Sequence, residues 1–322
     1  MSLLKRVVMG LWIGLMVSGA GNVLSQTYPN KPIRIVSNEA GGGNDIAMRL
    51  ITPGLTGSLG QPVIVENRPG LISAETVAKA LPDGYTVLSA GSILWLRPFM
   101  QDNVRWDPVK DFSPITIVVT SPLILVVHPS LSAKSVQELI ALAKARPGAL
   151  NFSSGAPGTA VNLAAELFNA MAGVKIVGVI YKGTAPALTG LMGNEVQVSF
   201  PTVNGVAPLL KSGKLRPLAV TSPQPSALAP GLPTVAASGL PGYEAVSPIA
   251  VLAPAKTPTT VIGRLNQEIV RVINQTDVKE KLFNAGAEVV GNSPEQAADH
   301  IKAEMARLGK VIKDSGIREG AN

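Results

Sequence analysis

The sequence predicts an α/β protein of two domains, with parallel-rich sheets flanked by helices and two strands that cross between the halves. Short β-branched runs alternate with amphipathic helical patterns, the alternation breaks once near residue 120, and it resumes in a second block before a helical tail. Strand–helix–strand alternation of this kind implies parallel units with right-handed crossovers.

Residues 33–36 form the first strand, a Gly-rich turn follows, and a helical pattern covers residues 45–59. Residues 63–66 are a strand, 74–80 a helix and 86–90 a strand. Residues 116–119 and 123–128 then run strand to strand with only Thr120-Ser121-Pro122 between them, which marks a crossing between domains. Ser135-Val136-Gln137-Glu138 is a capping box; its helix runs to Arg146 and stops at Pro147-Gly148. Strands at 150–153, 175–180, 196–200 and 215–220 follow, with helices at 160–172 and 186–192. Residues 222–241, dense in Pro, Ser, Ala and Gly, read as surface loop. Residues 245–252 form the second crossing. The tail is helical: Thr257-Pro258 reads as a cap followed by proline at the first helical position, and Ser293-Pro294 repeats the device. The first domain is therefore expected to span residues 26–122 and 247–322, the second 123–246, with a hinge and a ligand cleft between them.

Lys5 and Arg6 precede an uncharged run over residues 7–17 and small residues from Ser18 onward, the pattern of a secretory signal. Cleavage is expected after Ser25 or after Ala20, the former favoured because the segment from Tyr28 reads as an arm leading into the first strand. Removal of residues 1–25 leaves 26 basic and 21 acidic residues, a net charge of +5. These charges are scattered, with neither the basic stripe nor the stacking groups of a nucleic-acid binder. Cysteine is absent, so disulfides, thiolate metal sites and cysteine nucleophiles are ruled out. The 297 residues that remain exceed what one core serves and, at 46% apolar residues in the whole chain, must fold by burial alone.

In open parallel sheets, ligands bind beyond the carboxyl ends of strands, where turns and helix N-termini converge. Four such turns are rich in Gly and small polar residues. They are Ser37-Asn38-Glu39-Ala40-Gly41-Gly42-Gly43-Asn44-Asp45, Ala90-Gly91-Ser92, Ser153-Ser154-Gly155-Ala156-Pro157-Gly158-Thr159 and Tyr181-Lys182-Gly183-Thr184. Glycine lets main-chain N–H groups approach an anion, and each helix start adds about 0.3–1 kcal/mol of favourable dipole. Any one of these turns is as readily an ordinary turn; four of them, spread over both domains, favour binding. No cofactor is expected. Gly41-x-Gly43 mimics a dinucleotide turn, but Ile46 stands where the third glycine belongs. There is no G-x-S-x-G elbow, and the two histidines, His128 before a proline and His300 in a solvated tail helix, read as structural. Asp83, Asp107 and Asp111 read as turn caps, and Trp95 as a core residue. An exported hydrolase is accordingly disfavoured, and a metal site is not expected.

These turns sit in stretches that resemble the solute receptors of tripartite tricarboxylate transporters, the Bug family. The carriers include Gly41-Gly42-Gly43-Asn44-Asp45, Gly60-Gln61-Pro62-Val63-Ile64-Val65-Glu66-Asn67-Arg68-Pro69-Gly70, Asp83-Gly84-Tyr85-Thr86, Asp107-Pro108-Val109-Lys110-Asp111-Phe112, Tyr181-Lys182-Gly183-Thr184-Ala185-Pro186-Ala187 and Leu232-Pro233-Thr234-Val235. The resemblance spans essentially the whole mature chain. It implies a periplasmic binding protein of the Venus-flytrap kind, working as a monomer. It further implies that carboxylates of an organic acid or amino acid are held by loop amides and hydroxyls, and that the ligand is passed to membrane transporter subunits; a membrane sensor kinase is the alternative recipient. By position, the first-domain contacts would be the loop from Ser37 to Asp45, with Asn38, Glu39, Gly42, Gly43, Asn44 and Asp45, together with Ser92. Those of the second would be Ser154, Gly158, Thr159, Tyr181, Gly183, Thr184 and the turn after Phe200, with Pro201 and Thr202. Three departures stand out: a first loop shorter by one residue and carrying Glu39, Asn162 where the family commonly has histidine, and Pro201-Thr202-Val203-Asn204 after the strand. Glu39 is read either as a solvated loop acid or partner of Arg97, or as a cleft acid that would repel a free carboxylate; Arg97, if not paired with Glu39, is the candidate anion clamp.

Overall fold

A computed structural model describes residues 28–38, 40–68 and 71–318. The expected signal segment, Glu39 and the Pro69-Gly70 pair lie outside the described residues. Two sheets carry the architecture. The first contains β1 (Ile33–Ser37), β2 (Val63–Asn67), β3 (Thr86–Ala90), β4 (Phe112–Pro122), β10 (Val246–Pro254) and β11 (Glu288–Val289), in the order β11-β4-β10-β3-β1-β2. The second contains β5 (Ile124–Val127), β6 (Asn151–Ser154), β7 (Val177–Ile180), β8 (Val198–Ser199) and β9 (Arg216–Val220), in the order β7-β6-β8-β5-β9.

The alternating part of the chain pairs in parallel, β1 with β2 and β3, and β6 with β7 and β8. The strands that leave or re-enter a sheet run the other way: β10 is antiparallel to β3 and β4, and β5 to β8 and β9. Both sheets are therefore mixed. The crossing strands are also longer than the sequence reading gave. Pro114, Pro122, Pro248 and Pro254 all sit within the β4–β10 ladder, and proline cannot donate to a ladder. Two register shifts, at Ile249/Ala250 and Val251/Leu252, accommodate this pairing, so the strand continues where proline argued for a stop.

Ten helices flank the sheets: α1 (Gly43–Leu59), α2 (Leu71–Ala78), α3 (Ile93–Leu96), α4 (Val136–Ala145), α5 (Ala160–Ala172), α6 (Thr184–Met192), α7 (Val203–Lys211), α8 (Thr259–Ile273), α9 (Thr276–Asn284) and α10 (Pro294–Asp314), counted among the described residues. Ser135 Oγ caps α4 by accepting from Glu138 N–H, but the Glu138 carboxylate takes Lys134 N–H instead of closing the box on Ser135. Ser293 and Gln296 do close theirs at the start of α10. The expected Thr257 cap fails: its hydroxyl donates to the Pro254 carbonyl, and Pro258 holds the cap position, so α8 starts at Thr259. None of the helices among the described residues is long and apolar enough to cross a membrane.

Strand alternation divides the core. Ile33 and Ile35 of β1 pack with Met48, Ile51 and Leu55 of α1 and Leu265, Ile269 and Val272 of α8. In β5, Ile124 and Val126 face α6 and α7, whereas Leu125 and Val127 face the opposite cluster. That cluster runs on through Phe152 and Phe168 to Trp95, Ile301 and Ile312, so one apolar body touches both sheets, with α10 packed against both β4 and α5. One edge is left bare: all four residues of β7 are exposed, Ile180 to 62%, while Gly178 nestles against the Phe152 ring on the inner side.

The chain passes between sheets twice, through Leu123 and through residues 221–245. The fully buried Thr221 ties these passes together. Its hydroxyl accepts from Leu123 N–H at 2.9 Å and donates to the Leu123 carbonyl at 3.0 Å, and its own carbonyl accepts from Ala245 N–H at 3.0 Å. Thr221→Val keeps the shape but strands a buried N–H, which costs about 1–3 kcal/mol. Urea unfolding should show that loss as a lower midpoint with an unchanged slope.

Candidate functional site

The first Gly-rich turn is shaped by Asp45, which lies in the first turn of α1 and is buried. Its carboxylate accepts from Arg49 Nε at 3.0 Å, Gly41 N–H at 2.9 Å and Asn67 Nδ2 at 2.9 Å. The Arg49 guanidinium is the main cause that holds its pKa down to about 2; the Gly41 and Asn67 donors add to this against the opposing effect of burial. Asn67 Nδ2 also donates to the Asn38 carbonyl, and Ser73 Oγ to Asn38 Oδ1, both at 2.9 Å. Asp45 and Asn38 therefore face their own loop. What the turn presents outward is backbone: Gly42 and Gly43 are exposed, Asn44 is half-buried, and Gly42 caps α1 with no side chain of its own. The opening N–H groups of a 17-residue helix have no intrahelical acceptors and favour an anion.

Ser92 follows β3. Its Oγ donates to Glu304 Oε1 at 2.8 Å, and Trp95 Nε1 donates to Glu304 Oε2 at 2.8 Å. Trp95 is a core residue, as expected. Arg97 lines a small cavity of about 50 Å³ with Asn38, Ser73, Ile93 and Trp106.

In the second sheet, the turn after β6 is organised by Asn162. Its Oδ1 accepts from Gly158 N–H at 3.0 Å, and its Nδ2 donates to Ser154 Oγ at 3.2 Å. Thr159 caps α5 and donates to the Ala156 carbonyl. Gly158 adopts φ +82°, and a Cβ there would collide with Met100 Sδ and lie 3.5 Å from Ile93 Cδ1. This glycine is where the turn meets the other sheet's helices. Asn162, noted as a departure, thus shapes a loop from a buried position.

Tyr181 N–H pairs with the Ser154 carbonyl, while its hydroxyl donates to Glu195 at 3.1 Å. Burial and the Glu195 carboxylate push that phenol up. Gly183, at φ +109°, caps α6. Thr184 and Thr202 are brought together on either side of Gly205, whose Cβ would lie 3.1 Å from Thr202 Oγ1 and 3.4 Å from Thr184 Cγ2. Pro201 is buried with its carbonyl accepting from Ile124 N–H, and Thr202 is exposed and makes no side-chain cap to α7. Asn204 reaches the other sheet's helices by donating to the Asn284 carbonyl at 3.1 Å.

The predicted residues therefore form separate groups: the α1 turn, Ser92 with Glu304, the Asn162 turn, Tyr181 with Glu195, and the Thr184–Thr202 pair. Of these groups, the Asn162 turn touches the first sheet's side through Gly158. Asp107 and Asp111 cap turns, and Asp83 accepts from Tyr85 N–H, as read. His128 Nδ1 lies 2.7 Å from Ser130 Oγ within a turn. His300 corrects the sequence reading: it is half-buried, and Nε2 is enclosed without a hydrogen-bond partner among the described residues. It lines a cavity of about 280 Å³ beside the crossings, together with Thr120, Gln224, Glu244, Glu288 and Asn292. Sequence reasoning missed Glu304, yet a signal was there. Ala297, Ile301, Glu304, Leu308 and Val311 recur at helical spacing, which puts a carboxylate on an apolar stripe.

Two mixed sheets joined by two crossings, with helix starts gathered at strand ends, define the class of periplasmic binding proteins, and solved members share the architecture. Residues 46–317 match the tripartite tricarboxylate transporter family receptor, and the chain belongs to that family. BugT of Bordetella pertussis is 35% identical over 315 residues, covering 95% of this chain and 97% of its own. The structure of Rpa4515 from R. palustris with adipate is 36% identical at a TM-score of 0.73, over 90% of this chain and 99% of that one. MatC from Rhodopseudomonas palustris with bound malate is 27% identical at a TM-score of 0.70, over 88% and 100%.

Asp45 makes the α1 turn acid-sensitive. Its folded pKa is depressed, so its contribution is present above the unfolded value near about 3.9 and fades as pH falls toward about 2. Asp45→Asn should be less stable than wild type at neutral pH, and urea titrations should show that gap closing across this window.

Proposed function

We propose that the chain is an exported, monomeric periplasmic receptor that captures a small carboxylated metabolite, in the range of di- or tricarboxylates, amino acids and aromatic acids. The ligand is then presented to the membrane subunits of a tripartite transporter. The observation that carries this is the placement of helix starts. α1, α5, α6 and α7 follow the carboxyl ends of β1, β6, β7 and β8, drawn from both sheets, and Gly158 sets one of these turns against Ile93 and Met100. Adipate in Rpa4515 and malate in MatC support a carboxylate as the class of guest.

On this reading, residues 26–122 with 247–322 and residues 123–246 are domains that close about Leu123 and Thr221. The main-chain amides of Gly42, Gly43 and Asn44, with the hydroxyls of Ser92, Thr184 and Thr202, meet the carboxylates, while the Gly158 and Gly183 amides hold their own turns on Asn162 and the Tyr181 carbonyl. Four helix starts contribute about 1–4 kcal/mol between them. Charge-assisted hydrogen bonds at about 1.5–3 kcal/mol each bring the sum to the roughly 8 kcal/mol of micromolar binding. No bond in the ligand is made or broken; binding shifts an open–closed equilibrium.

Native mass spectrometry of the purified protein, followed by thermal unfolding against a panel of organic acids and amino acids, tests this. A cognate acid at about 100 Kd adds about 2.7 kcal/mol and should raise the melting temperature by several degrees. A panel without any response overturns the proposal. Gly158→Ala carries about 1–2 kcal/mol of left-handed backbone strain and sets a methyl against Met100. Calorimetry should then show affinity for the cognate acid reduced about tenfold, with the circular dichroism spectrum unchanged.

A further inference from the structure

Glu304 projects from the apolar stripe of α10 and is 2% exposed. Its two oxygens have unlike partners. Oε2 takes the Trp95 indole N–H, which can only donate, so this oxygen is fixed as an acceptor. Oε1 faces Ser92 Oγ, and a hydroxyl can both donate and accept. When the carboxylate is ionised, Ser92 must direct its one O–H at Oε1, leaving lone pairs for anything else that approaches. When the acid is neutral, its proton sits on Oε1 and donates to Ser92 Oγ, and the serine O–H becomes free to point at an anion.

On the footing of the receptor reading above, we propose that Glu304 is a positioning residue for Ser92, and that capture of an anionic ligand draws one proton from solvent onto Glu304 Oε1. The ligand carboxylate stays ionised and gains the Ser92 O–H as a donor. Burial pushes the Glu304 carboxyl upward, against the Ser92 and Trp95 hydrogen bonds and the charges of His300 and Arg307. These two residues lie on its own helix, and Arg307 also pairs with Glu244 at 2.9 Å. The elements packed against α10 add Arg97 after α3, Glu166 on α5, and Arg264, Glu268 and Arg271 on α8, while β4 carries no charge. Because the ligand selects the protonated form, affinity is greatest at the acid end. It falls as pH rises through the raised pKa, by up to about tenfold per pH unit.

Calorimetry of the full mature chain with adipate, or malate where adipate is not held, in buffers of differing ionisation heat reads this directly. Wild type should take up as much as about one proton per ligand as the buffer pH passes through the raised range of the Glu304 carboxyl. Glu304→Gln accepts from Trp95 through its carbonyl and donates to Ser92 through its amide, so it should bind without proton uptake and with affinity flat in pH. Ser92→Ala, which keeps Glu304, should bind more weakly and also without uptake, which covers the case of a Gln variant that fails to fold. Wild-type binding with no proton uptake overturns the proposal. So does uptake that persists in both variants, and its loss in His300→Gln would then assign the proton to the imidazole. Failure to bind either acid, or any other acid of the panel, would instead remove the receptor reading itself.

Discussion

Thr221 holds the two passes of the chain at one point. Its hydroxyl bonds both main-chain groups of Leu123, and its carbonyl takes Ala245 N–H, so the outgoing strand and both ends of the returning loop share one buried clasp. Beyond it, β4 and β10 run side by side from Pro122–Val246 to Phe112–Pro254. Two strands bonded along such a length bend or twist together, which restricts how the sheets can rotate about each other. Among the described residues, polar contacts away from this axis join Asn204 to Asn284, and Ser226 and Ala227 to the Glu288 carboxylate, while Gly158 abuts Met100 and Ile93. The hydrogen bonds among them can break and re-form without exposing apolar core. α10 also bridges the halves: it packs on both β4 and α5 and stays with the shared apolar body.

The candidate site divides its labour between backbone and side chain. Two buried acids near the turns face inward: Asp45 toward Arg49 and Asn67, Glu304 toward Ser92 and Trp95. Asn162 does the same without charge. Among the described residues, each fixes a loop whose outer surface is left to amides and hydroxyls. This arrangement suits an anionic guest, since a carboxylate facing the guest would repel it, whereas one buried behind the loop supplies rigidity.

The fold was legible because its signals are local. Short β-branched and apolar runs placed β1, β3 and β5, and the Ser293 cap placed the start of α10. What the sequence hid depends on neighbours distant in the chain. Prolines that normally end strands sit inside the β4–β10 ladder because register shifts absorb them. Thr257 caps no helix because the Pro254 carbonyl, freed at the end of β10, claims its hydroxyl. The site was half legible: the Gly-rich turns announced themselves, but which side chains face inward follows from Asn67, Arg49 and Glu304. Glu304 acts on a serine 212 residues away.

The bare strand β7 has its own implication. Parallel pairing with β6 uses one side of it, and the other side offers a free row of amides and carbonyls beneath exposed Val177, Val179 and Ile180. Such a row is a template for a foreign strand, and at high concentration it invites fibrous self-association. The protein's protection is brevity: four residues, ended by the turn at Tyr181 to Gly183, give an intruder too few rungs to hold on to.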